Sequence, residues 1–168
     1  MKNIFLIGFM GCGKSTIARM LSEKLGVAQV EMDEVIVQEQ EMSITEIFEK
    51  YGEEHFRDIE TELVSRLQEK EGVVVSCGGG AVLREENRER MKASGAIVWL
   101  TAKPETILER VKHSTNRPVL NGHMNVEYIA ELMEKRRGCY EDAADYMVAT
   151  DGKSREEICE EILNKMGN

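Results

Sequence analysis

The sequence predicts an α/β fold: a parallel β-sheet with helices packed on both of its faces. Two observations carry this. Five short apolar runs rich in β-branched residues alternate along the chain with stretches of helical periodicity, the pattern of strand–helix–strand units. One of them, Val73–Val75, is also continuously apolar rather than alternating, as expected of a strand covered on both faces.

Ile4–Ile7 is the first strand, and a glycine-rich turn leads from it into a helix from Lys14 to about Leu25. Residues 28–32 read as the second strand. Ser43-Ile44-Thr45-Glu46 forms a capping box, opening a helix with Ile44, Ile47, Phe48 and Tyr51 on one face. Phe56, Ile59, Leu63 and Leu67 recur at helical spacing in the next segment, and Val73–Val75 is the third strand. A charged helix near 85–92 precedes the fourth strand, 96–100. Pro104 suits the first turn of a helix reaching about Val111. The polar stretch from Lys112 to His123 interrupts the pattern. A helix from Asn125 to about Tyr140, a fifth strand at 146–149, and a second capping box at Ser154–Glu157 complete the chain.

With 168 residues, the chain suits one domain, 1–168. The net charge of −9 argues against nucleic acid or an anionic membrane as a partner. The apolar run at the N-terminus is too short for a membrane span. Cys12, Cys77, Cys139 and Cys159 show no metal-ligand spacing. A reducing, cytoplasmic location is the expectation, as is a monomer, since no heptad pattern stands out.

Gly8-Phe9-Met10-Gly11-Cys12-Gly13-Lys14-Ser15 fits GxxxxGK[ST] between a predicted strand and a predicted helix, the context of a phosphate loop. Its backbone N–H groups and the helix N-terminus would hold phosphates. Lys14 would reach the β- and γ-phosphates, and the Ser15 hydroxyl would take a Mg²⁺ position. Cys12, inside the loop, is expected to be alkylated unless nucleotide protects it.

Five further features could form an acceptor side. Asp33 follows the second strand and either orients an acceptor hydroxyl or caps a helix starting at Glu34. Arg57 stands at the edge of an apolar stripe and either meets substrate or forms a surface pair with Glu60. Arg136 falls on the inward face of its helix with Ile129, Leu132, Met133 and Tyr140. It needs either an anionic ligand or an internal ion pair. Gly78, Gly79 and Gly80 allow backbone to approach a ligand closely, or form a plain turn. Arg117, in Asn116-Arg117-Pro118-Val119-Leu120, belongs to a lid or to a solvated loop.

Together these segments resemble the shikimate kinase family. The matched pieces are GFMGCGKST, Asp33, GExxFRxxE from Gly52 to Glu60, SCGGGAV from Ser76, NRPVL from Asn116, and the Arg136…Tyr140 pair. The resemblance implies a three-layer α/β/α P-loop kinase fold with strand order 2-3-1-4-5, a substrate-binding helical region at about 33–62, and a lid at about 112–123. It implies transfer of the γ-phosphate of ATP to the 3-hydroxyl of shikimate, with Mg²⁺ as cofactor. Gly11, Cys12, Gly13, Lys14, Ser15, Thr16, Arg110 and Arg117 would bind nucleotide, Arg110 near the adenine and Arg117 beside Lys14 at the γ-phosphate. Asp33 would contact the reacting hydroxyl. Arg57 and Arg136 would clamp the carboxylate, with Gly78, Gly79, Gly80, Phe48 and Phe56 completing the pocket. Glu31, where the family has Asp, would support Mg²⁺ through water. Gly138 replaces a usual proline, and residues 149–153 lack the usual proline-containing adenine loop. A kinase of gluconate or of a nucleoside monophosphate, or a non-catalytic nucleotide-binding module, are the other readings.

Overall fold

The computed structural model describes residues 1–112 and 124–167. Thirteen elements follow in chain order: β1 (Asn3–Ile7), α1 (Lys14–Leu25), β2 (Gln29–Glu31), α2 (Met32–Gln40), α3 (Ile44–Tyr51), α4 (Glu53–Gln68), β3 (Val74–Ser76), α5 (Glu85–Ser94), β4 (Gly95–Thr101), α6 (Pro104–Val111), α7 (Val126–Ala143), β5 (Tyr146–Ala149) and α8 (Arg155–Lys165). The five strands form one parallel sheet in the order β2-β3-β1-β4-β5. Phe5 is in register with Val75 on one side and Ile97 on the other.

Alternate strand residues feed two cores, which is why the central strands β1, β3 and β4 read as largely apolar runs, whereas the edge strand β2 carries Gln29 and Glu31. Ile4, Leu6, Val74, Val98, Leu100 and Val148 pack against α1, α6 and α8. Phe5, Ile7, Val75 and Ile97 pack against α2, α3, α4, α5 and the C-terminal end of α7. No helix of the described residues is long and apolar enough to cross a membrane.

Both capping boxes form as the sequence predicts: Ser43 Oγ accepts from the Glu46 N–H, and Ser154 Oγ from the Glu157 N–H, each at 3.1 Å. The second strand is shorter than expected. It stops at Glu31, and Met32 already opens α2, because burying Met32 and Ile36 one helical turn apart outweighs the extended preference of the intervening Val35. Asp33 therefore lies in the first turn of a helix instead of at a strand end, and the cap position is Glu31. Gly52 (φ 87°) ends α3 and starts α4 in a single residue, a backbone state open to glycine at low cost. That accounts for the glycine at the head of the GExxFRxxE segment.

Candidate active site

A cleft of about 500 Å³ opens beyond the C-terminal ends of β1, β2 and β3, lined by Lys14, Ser15, Glu31, Asp33, Ser76, Gly78 and Gly79 among others. This is where a parallel sheet presents its functional residues. The loop between β1 and α1 forms one wall. Lys14 Nζ donates to the carbonyls of Gly8 (2.7 Å) and Phe9 (3.0 Å), so its stem is buried and its ammonium braces the loop. Gly11, Gly13 and Thr16 line the same cleft. Arg110, from the last turn of α6, reaches the loop and donates to the Gly11 carbonyl at 3.0 Å. Cys12 corrects an expectation. Its side chain is 1% exposed beneath the loop, so there is no open thiol for a nucleotide to protect.

Ser15 Oγ donates to Glu31 Oε2 at 2.9 Å, and Gln29 Nε2 donates to Glu31 Oε1 at 2.6 Å. Burial pushes the Glu31 carboxyl above its ordinary range, opposed by the hydrogen bonds from Ser15, Gln29 and Ser76. A hydroxyl and a carboxylate in direct contact are the hard-oxygen donor set that suits Mg²⁺. No cluster of three or more potential ligands occurs among the described residues. A metal held here would therefore draw the rest of its shell from water and phosphate, as Mg²⁺ at nucleotide sites does. Gln29 and Ser76 were not singled out by sequence. Gln29 was legible in principle, since it shares a strand face with Glu31 two residues on. Ser76 becomes a neighbour of Ser15 (3.5 Å) only because β3 lies beside β1.

The other wall carries the arginines. Arg57 is 7% exposed and not on the surface. Its Nη1 donates to Glu60 Oε1 at 3.0 Å, while Nε and Nη2 donate to Glu53 Oε2 at 3.3 and 3.2 Å. The expected surface pair is thus a buried one, and Glu53 is a partner that sequence reading missed. Arg136 is 4% exposed, with its Cζ 5.7 Å from the Phe9 ring centroid. Its buried Nη1 has no hydrogen-bond partner among the described residues.

Three glycines fit between these side chains. A Cβ on Gly80 would lie 2.6 Å from Arg57 Cζ, and one on Gly79 would lie 3.5 Å from Arg136 Nη1. At Gly78 it would meet Glu60 Oε2 at 2.8 Å and Asp33 Oδ1 at 3.0 Å. Any larger residue at 78 or 80 would displace a charged group, so Gly78 and Gly80 are packing requirements of the site and not a loose turn. Tyr140 Oη donates to the Gly79 carbonyl at 2.6 Å, holding the turn against α7. Phe48 and Phe56 pack with ring centroids 5.1 Å apart at the base of α3 and α4. Of the residues singled out by sequence, Lys14, Ser15, Glu31, Asp33, Arg57, Gly78–Gly80 and Arg136 converge on one region. Arg117 lies outside the described residues, as does the lid expected over most of 112–123.

Known proteins match this chain in sequence and fold. The shikimate kinase family model matches residues 10–167. A shikimate kinase of Thermodesulfovibrio yellowstonii is 46% identical over 165 residues, covering 98% of this chain and 95% of its own. Among solved structures, shikimate kinase from Acinetobacter baumannii in complex with shikimate superposes with a TM-score of 0.95 at 33% identity, covering 99% of this chain and 93% of that one. Shikimate kinase from Aquifex aeolicus superposes at 0.84 with 41% identity, covering 98% and 95%.

Proposed function

This chain belongs to the shikimate kinase family, and from that premise we propose that its cleft joins ATP and shikimate and transfers the γ-phosphoryl group to the 3-hydroxyl. The observation that carries the acceptor assignment is Arg136: a buried guanidinium whose Nη1 has no hydrogen-bond partner among the described residues, beside a second buried arginine. A buried guanidinium N–H without an acceptor is costly, and an anionic ligand removes that cost. A small polar acid matches the set, its carboxylate on Arg57 and Arg136 and its ring against Phe48 and Phe56. The neutral base of a nucleoside monophosphate brings no anion to the Arg136 guanidinium, whereas the carboxylate of a small polar acid does.

In this reading Asp33 takes the proton of the 3-hydroxyl as its oxygen bonds to the γ-phosphorus, and the bond to the β-phosphate oxygen breaks to release ADP. Lys14 swings from the Gly8 and Phe9 carbonyls to the β- and γ-phosphates. The loop N–H groups supply the remaining cradle, Arg110 lies toward the base, and Arg117 completes the γ-phosphate site from its segment. Ser15 and Glu31 would hold Mg²⁺, which neutralises phosphate charge when bound. Catalysis is positioning plus electrostatic stabilisation, with no covalent intermediate.

We further propose that the chain works as one domain, with its acceptor side at 33–62 and a lid at 112–123, and as a cytoplasmic monomer that leaves nucleic acid alone. Four free cysteines and a charge of −9 support this. The test is ADP release by purified protein with Mg²⁺ and ATP. Turnover that depends on shikimate, and not on gluconate or nucleoside monophosphates, is expected. Absence of shikimate-dependent turnover would reject the assignment.

A further inference from the structure

Glu60 is a carboxylate built into the wall behind the arginines, its side chain 1% exposed. Oε1 accepts from Arg57, while Oε2 is buried without a partner among the described residues. Across the bare Cα of Gly78, that oxygen faces Asp33 Oδ1. The charged and titratable groups around it come from four segments. Arg57 lies beside it on α4, with Glu53 on the far side of the same guanidinium. Asp33 faces it from α2, Cys77 from the turn that follows β3, and Arg136 from α7. Burial holds the Cys77 thiol neutral. Burial also pushes the Glu60 carboxyl up to about 7, opposed by Arg57 and Arg136 and reinforced by Asp33.

We infer that Glu60 takes up a proton from solvent when the substrate carboxylate docks on Arg57 and Arg136, so that substrate binding and protonation of this buried side chain are one linked event. The inference rests on the carboxylate-clamp reading above. Docking brings a third carboxylate to a guanidinium already shared by Glu60 and Glu53, and a further negative charge near Glu60 favours its neutral form. One anion and one proton enter together, so the charge of the pocket is unchanged. The only bond made is O–H at Glu60, and none is broken in the substrate. Neutral Glu60 keeps Oε1 as an acceptor for Arg57 and turns Oε2 into a donor facing the Asp33 carboxylate, which gives the unpartnered oxygen a hydrogen to share. By linkage, substrate affinity weakens as pH rises through the range where uptake occurs.

Isothermal titration of shikimate into the full-length protein tests this in PIPES, HEPES and Tris, whose ionisation enthalpies differ. The dependence of the heat on buffer reads the protons taken up. About half a proton per substrate is expected at pH 7, where roughly half of Glu60 is already protonated, falling toward zero by pH 5. Glu60→Gln is expected to bind without buffer dependence and with affinity flat from pH 6 to 8. Measurable wild-type binding with no proton uptake overturns the inference, as does equal uptake in Glu60→Gln, which would place the proton elsewhere. If that variant does not fold, the wild-type series decides: uptake that persists undiminished at pH 5 overturns it. No wild-type binding at all would remove the functional reading itself, and this inference with it.

Discussion

Arg57 and Arg136 are both buried beside the Gly78–Gly80 turn, yet among the described residues only Arg57 has carboxylate partners, Glu53 and Glu60. Removing Arg136 should therefore leave no buried anion stranded. Arg136→Ala is expected to fold and to raise the apparent KM for shikimate by about 10- to 100-fold, the scale of a lost charge-assisted contact, with the KM for ATP little changed. Steady-state kinetics with each substrate varied would check it; an unchanged shikimate KM rejects the clamp. Glu60 makes a different prediction. Its folded-state carboxyl titrates near 7, above its ordinary 4.5. The stability contributed by its protonated form is thus full below pH 4.5 and is lost as pH rises through 7. The stability of Glu60→Gln relative to wild type is expected to improve by about 3 kcal/mol between pH 4.5 and 7. Urea unfolding at both pH values measures this, and a pH-independent difference would contradict the buried environment described for Glu60.

At the scale of elements, the proposed acceptor side is the three helices α2 to α4, held to the sheet by Met32, Ile36, Ile47 and Phe56. Asp33 owes its position to α2 beginning at Met32, which aims the first turn at Gly78. Asp33→Asn keeps the shape and removes the proton acceptor, so kcat is expected to fall by roughly two or more orders of magnitude; near-normal kcat would exclude that role. Ser43→Ala removes the cap of α3, and a loss of about 1 kcal/mol in unfolding free energy is expected by denaturant titration. The capping boxes and the phosphate loop were legible because their signals are local: a side chain bonding a backbone group three residues away. The start of α2 was not legible, since Val30, Met32, Val35 and Val37 suit either strand or helix until burial chooses. Helical periodicity placed Arg136 inside, whereas for Arg57 a substrate contact and a surface pair with Glu60 stayed equally open, because no local pattern reports what α4 packs against.

For the whole molecule, an acidic chain of net charge −9 sets Lys14 on the cleft, Arg110 on its phosphate loop, and Arg57 and Arg136 behind the Gly78–Gly80 turn, a local concentration of positive charge that would receive polyanions. Among the described residues there is no cluster that would hold a structural metal. Removing divalent ions with EDTA is therefore expected to abolish turnover while leaving the circular dichroism spectrum unchanged, with activity restored by Mg²⁺. Loss of fold on chelation would contradict this. The sequence by itself determined the alternation of strands and helices, the phosphate loop, and which residue types could serve an anionic acceptor, because each depends on neighbours within a turn or two. Tertiary structure alone decided that Glu60 is buried, that Ser76 and Gln29 close around Ser15 and Glu31, and that three glycines separate four charged side chains. These are contacts between segments tens of residues apart, and their energies depend on what is excluded from water once β2, β3 and β1 stand side by side.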